Sequence, residues 1–108
     1  MIDITHYTYR LVWSQEDQEH VALCSEFPSL SYLSDNPKEA LEGIFELVKD
    51  VVRDMTENGE TLPIPFSEKA FSGKFQVRIP PEQHRMLAIQ AAEQGISLNR
   101  LAASKLAS

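Results

Sequence analysis

Only one cysteine, Cys24, occurs in the 108 residues, so an internal disulfide is excluded and a reducing, cytoplasmic compartment is expected. Long apolar runs are missing as well, which excludes a transmembrane helix, and no membrane partner is expected. The first residues, Met1-Ile2-Asp3-Ile4-Thr5, lack the basic stretch and apolar core of a signal peptide. Basic residues are in deficit: 10 Lys and Arg stand against 16 Asp and Glu, a net charge of −6. Taken whole, that balance argues against nucleic acid as a partner. What the chain does have is 43% hydrophobic and 24% charged residues, the balance of a globular protein rather than a disordered one. The length allows one ordinary domain or two very small ones.

The charge is unevenly spread. Residues 1–72 hold 14 acids and five bases, a net of −9, whereas residues 73–108 hold five bases and two acids, a net of +3. Such asymmetry points to two modules with different partners, unless the clustering is chance. Pattern decides between these.

In the acidic part, Tyr7, Tyr9, Leu11 and Trp13 alternate with Thr8, Arg10, Val12 and Ser14, which predicts a strand with one apolar face. A polar turn over 14–19 leads to a second strand over 21–24, and Leu30-Ser31-Tyr32-Leu33 is a third extended piece. Asn36 then stands where an N-cap belongs, Pro37 at the first helical position and Glu39 at the capping-box position. Leu41, Ile44, Phe45, Val48, Val51, Val52 and Met55 follow at helical spacing, one apolar stripe over about five turns, and Gly59 closes the helix. Leu62-Pro63-Ile64-Pro65-Phe66 is extended, but its prolines restrict it to an edge strand or a segment lining the core. Residues 1–66 are thus expected to be α+β, a helix across a small antiparallel sheet, with 67–72 as a linker.

No catalytic signature is present, and the chain is not expected to be an enzyme. A metal-dependent nuclease needs clustered carboxylates, usually one in a central strand; the first strand has none, and Glu16, Asp17 and Glu19 lie in a turn. The helix acids read as a solvated face. His6, His20 and His84 lack metal-ligand spacing, so no metal or cofactor is expected. Cys24 reads as a small core residue, and Trp13 as either core or a partner-facing anchor.

In the basic part, residues 73–80 read as one strand. Phe75, Val77 and Ile79 face one way, and Lys74, Gln76 and Arg78 the other. Pro80-Pro81-Glu82 opens a helix to about Gln94 with Leu87, Ala88, Ala91 and Met86 inward; Gly95 ends it. Ser97 caps a second helix whose inner stripe is Leu98, Leu101, Ala102 and Lys105/Leu106. So short a segment cannot bury enough surface alone, and a single strand leaves both edges unpaired. Pairing with the same strand of a second chain solves both problems, burying Phe75, Val77 and Ile79 in a shared dimer core. The resulting two-stranded ribbon fits the DNA major groove, with Lys74 and Arg78 suited to guanine and Gln76 to adenine. Ser97, Asn99 and Arg100 at the start of the second helix are placed for a phosphate.

At residues 74–80 and at Gly95-Ile96-Ser97-Leu98-Asn99 the chain resembles ribbon-helix-helix DNA-binding domains. From Tyr9 through residues 21–28 and 37–41 to Leu62-Pro63-Ile64-Pro65 it resembles the HicB antitoxin domain. The resemblance implies a partial ribonuclease-H-like βββαβ domain without catalytic acids, followed by a dimerising βαα module. It implies a type II antitoxin that binds a small basic HicA-like ribonuclease toxin and, as a homodimer or tetramer, binds operator DNA to repress its own operon. The first hairpin departs from the family pattern, with Gln15–His20 where glycines are common, and Ser29 replaces the glycine of a Pro-Gly pair. A stand-alone ribbon-helix-helix regulator, its N-terminal part a sensor or oligomerisation domain, is the alternative reading.

Overall fold

A computed structural model describes residues 2–108. The chain divides into two compact units, Met1–Phe71 and Ser72–Ser108.

The first unit is a three-stranded antiparallel sheet in the order β1 (Tyr9–Ser14), β2 (Glu19–Cys24), β3 (Ser31–Ser34), with helix α1 (Pro37–Glu57) against one face. β1 and β2 pair from Tyr9↔Cys24 to Ser14↔Glu19, and β2 meets β3 from His20↔Ser34 to Leu23↔Ser31. Ile44 and Val48 of α1 are fully buried beside Ala22 and Cys24 of β2; Tyr7, Phe27, Ala40 and Val52 complete the core. Cys24 is therefore a core residue, and burial pushes its thiol above its ordinary value.

The α1 caps follow the sequence signals. Asn36 Oδ1 accepts from the amides of Lys38 and Glu39 at 2.9 and 3.2 Å, and Pro37 occupies the first turn. Glu39 closes the cap through a relay: the Asn36 amide donates to Ser34 Oγ, which donates to Glu39 Oε2, each at 3.1 Å. Gly59, at φ 69°, ends the helix in the left-handed region.

Three expectations are corrected. β1 begins at Tyr9, not Tyr7, and its alternation does not mark a buried face: Leu11 and Trp13 are 40% and 49% exposed. The reason is tertiary, since α1 packs mainly across β2 and β3 and leaves β1 overhanging. Trp13 is thus not a core residue; its indole Nε1 donates to Gln15 Oε1. Secondly, Leu62–Phe66 forms no strand, so the unit is βββα rather than βββαβ. Prolines 63 and 65 have no amide to give a ladder. The segment lines the core instead, with Pro65 fully buried and Tyr7 Oη donating to the Pro63 carbonyl at 2.8 Å.

Thirdly, residues 73–80 carry no strand in the single chain, since a strand is defined by a partner and none is offered here. The helices that follow are α2 (Pro81–Gln94) and α3 (Leu98–Ala107). Gly95, at φ 68°, ends α2, and Ser97 caps α3 by accepting from the Arg100 amide at 3.0 Å. Four inward expectations fail in the lone unit: Ala88 and Lys105 are exposed, and Met86 and Leu106 are 59% and 69% exposed.

Candidate functional site

Two regions concentrate chemistry, one in each unit. In residues 72–108 the core is nearly absent: among the described residues of this unit only Ala91 of α2 and Leu101 of α3 are buried. Phe75 and Val77 stand 74% and 63% exposed on the segment ahead of α2, and Ile79 is half-buried. Together with His84, Leu87, Leu98 and Ala102 they line an open, largely apolar groove of about 770 Å³. Sequence reading missed His84 as part of this wall; its position three residues after Pro81, on the turn that carries Leu87 next, is the signal that marks it.

The polar residues expected to read DNA are all solvent-exposed: Lys74, Gln76 and Arg78 on the segment, Asn99 and Arg100 on the first turn of α3. Ser72 and Gly73 set the start of the segment. The Lys74 amide donates to Ser72 Oγ at 3.1 Å, and Gly73 adopts φ 81°, where a side chain would be strained. Ser97 spends its hydroxyl on the Arg100 amide. The first two amides of α3, those of Leu98 and Asn99, are then the donors an anion would meet. The unit's net charge of +3 makes its surface attractive to phosphate.

In the first unit, Glu39, Glu42, Glu46 and Asp50 run along one side of α1 at three- and four-residue spacing, beside Tyr32. Tyr32 lies directly over Gly43, and a Cβ at that position would overlap its ring. A glycine amid helix-forming residues, flanked by acids at helical spacing, is the trace this groove leaves in the sequence. Among the described residues no group of three or more His, Cys, Asp or Glu is placed to hold a metal ion, and no helix is long and apolar enough to cross a membrane.

Glu26 organises the end of this unit. Its carboxylate accepts from the amides of Thr8 and Phe66, both at 2.9 Å, and from the Thr8 hydroxyl at 3.1 Å. Burial alone would raise its pKa, but the hydrogen bonds from Phe66 and Thr8 outweigh it and hold the carboxyl below its ordinary value. Nearby, His6 Nδ1 meets Glu68 Oε1, and Ser67 Oγ donates to the His6 carbonyl at 2.8 Å. The hydrogen bond with Glu68, with a smaller contribution from Asp3, raises the His6 pKa against a modest desolvation effect. These bonds sew residues 63–68 onto the start of the chain, so the short helical turn Phe66–Glu68 is part of the first unit.

A search of curated proteins and a search of solved structures each gave no match. A model of the HicB family matches residues 57–106, from the end of α1 through both helices of the second unit, just under half of the chain. Over that stretch the chain is similar to the HicB family.

Proposed function

We propose that the chain is a HicB-like antitoxin: a binding protein, not an enzyme, whose first unit neutralises a basic HicA-like ribonuclease and whose second unit binds operator DNA as a dimer. One observation carries the reading. Residues 74–79 alternate exposed apolar and basic or amide side chains, ahead of two helices that bury almost nothing by themselves. A second copy supplies what is missing: two such segments pair as an antiparallel ribbon, Phe75, Val77 and Ile79 close the apolar groove, and Lys74, Gln76 and Arg78 face outward in duplicate. The similarity to the HicB family over residues 57–106 supports the same assignment.

The acidic first unit suits the other partner. Its net charge of −9 steers a basic protein toward it and competes with that protein's RNA. The row from Glu39 to Asp50 beside Tyr32 is the surface on which we place the contact. Dimerisation doubles the +3 of the second unit, so an acidic protein still presents a basic ribbon to DNA.

The test is co-purification of the full chain with the product of the adjacent gene, combined with a mobility-shift assay on the promoter upstream. Capture of a small basic protein and rescue of growth from it are expected; failure of both overturns the antitoxin reading. Arg78→Ala is expected to weaken promoter binding by about 1–3 kcal/mol for each bidentate arginine–guanine pair it removes, while leaving the dimer intact. Val77→Asp is expected to break the ribbon and so reduce the size of the assembly in sedimentation. Unchanged promoter affinity in the first variant, or an unchanged assembly size in the second, would reject the ribbon.

A further inference from the structure

β1 is one of the two edges of its sheet: β2 pairs with one side, and no strand among the described residues pairs with the other. Edge strands are normally protected by charge, proline or a bulge, because a free row of amides and carbonyls is a template for another strand. β1 has little of this protection. It contains no proline, its ladder to β2 is unbroken over six residues, and its one charged residue is Arg10. At its centre Leu11, Val12 and Trp13 are 40%, 37% and 49% exposed.

The register shows where these side chains fall. Ala22 and Cys24 are buried toward α1, so their partners Leu11 and Tyr9, and Trp13 beyond, share that face. Val12 lies on the opposite face, in line with Val21 of β2 and Leu33 of β3. An apolar row thus crosses the sheet and stops abruptly at an unpaired edge.

We propose that β1 pairs antiparallel with β1 of a second copy, centred on Val12, to make a continuous six-stranded sheet. In that register Val12 meets its own counterpart, and the row Leu33–Val21–Val12 runs on into the partner's row. On the other face each Leu11 stands opposite the Trp13 of the second copy, covering the surface that α1 leaves bare. Arg10 stands opposite Ser14, so no like charges oppose each other across the junction. A shift by one residue at either strand breaks the apolar row, which singles out this pairing.

Charge selects the occupant. None of the acids of this unit lies on β1, whose one charged residue is Arg10. A basic partner is drawn to the acids of α1, whereas a neutral apolar edge suits its own copy. This contact is separate from the ribbon proposed for residues 74–79, so a chain using both forms assemblies of more than two copies. The assembly size rests on that reading; the β1 junction does not.

Sedimentation of the full chain over a range of concentrations tests it. The wild type is expected to form a species of four or more chains, and Val12→Lys, which sets lysines face to face, to reduce it to two. Val12→Glu is expected to do the same, and mixing the two variants to restore the larger species. Val12→Cys, with Cys24 buried, is expected to give a disulfide-linked pair on oxidation, which serves if the charged variants fold poorly. A larger species indifferent to Val12→Lys overturns the proposal, as does a two-chain wild type that Val12→Lys leaves at two chains. A two-chain wild type that becomes monomeric with Val12→Lys but not with Val77→Asp supports the β1 junction and removes the ribbon instead. Loss of a captured basic protein in Val12→Lys, with no change in assembly, assigns the edge to that protein and overturns self-pairing.

Discussion

Glu26 and Gly43 show how single residues hold the first unit together. Glu26 is one of 16 acids, distinguished only by where the fold places it. Its carboxylate satisfies two backbone amides, one at the start of β1 and one after the proline segment. Glu26→Ala is expected to cost roughly 2 kcal/mol in urea unfolding, since those donors lose a charged acceptor. Its pKa is lowered on folding, so its contribution is present above the ordinary value near 4.5 and fades as the pH falls through the lower folded value. Glu26→Gln is therefore expected to flatten the acid limb of the stability–pH curve; an unchanged limb assigns the acid loss to other groups. Gly43 would ordinarily weaken α1 by about 1 kcal/mol relative to alanine. Because the Tyr32 ring occupies the space of a Cβ, Gly43→Ala is expected to destabilise the wild type. In a Tyr32→Ala background the same change is expected to stabilise, by the thermal midpoint of each pair.

Among the elements, α1 is legible in the sequence from end to end, because its caps and its stripe are local properties of the chain. Even so, Ala40 and Leu47 join the packed face unannounced, since a small residue and one flanking the stripe become interior only when a sheet is laid against them. β1 is legible as a strand but not in its burial, because alternation records two faces and not which neighbour covers them. Ser67 and Glu68 of the turn Phe66–Glu68 read as linker in the sequence; their attachment depends on His6, up to 62 residues away, which no local pattern connects. Titration of His6 by NMR is expected to give a pKa above the ordinary 6.5, returning toward it in Glu68→Gln. This raised value means that the ion-paired clasp is complete below pH 6.5 and is lost as the pH rises through the folded pKa of His6.

For the molecule as a whole, the consequential fact is the disparity between the units. The first has a contiguous core of eight buried residues around α1 and β2, while the second buries two side chains and exposes Phe75, Val77, Met86 and Leu106. If the second unit completes its core with another copy, its unfolding is coupled to association. The thermal midpoint of residues 72–108 is then expected to rise with protein concentration, while that of the first unit follows its own junction at β1. Monitoring each unit separately by hydrogen exchange at two concentrations checks this; a concentration-independent second unit would mean that it folds as a monomer.

Part of this is written along the chain itself. Helix caps, the period of the apolar stripe, the left-handed glycines after α1 and α2, and the division into a −9 part and a +3 part all depend on neighbouring residues, and all are readable in order. Even the net charge of −6, which at first argues against DNA, separates into its two parts without any coordinates. The rest belongs to the folded chain: which face of β1 is left bare, that the proline segment lines the core through Tyr7 and Glu26, and that Gly43 makes room for Tyr32. Those outcomes turn on residues far apart in the chain competing for the same space and the same hydrogen bonds, and such competition exists only once the chain has folded.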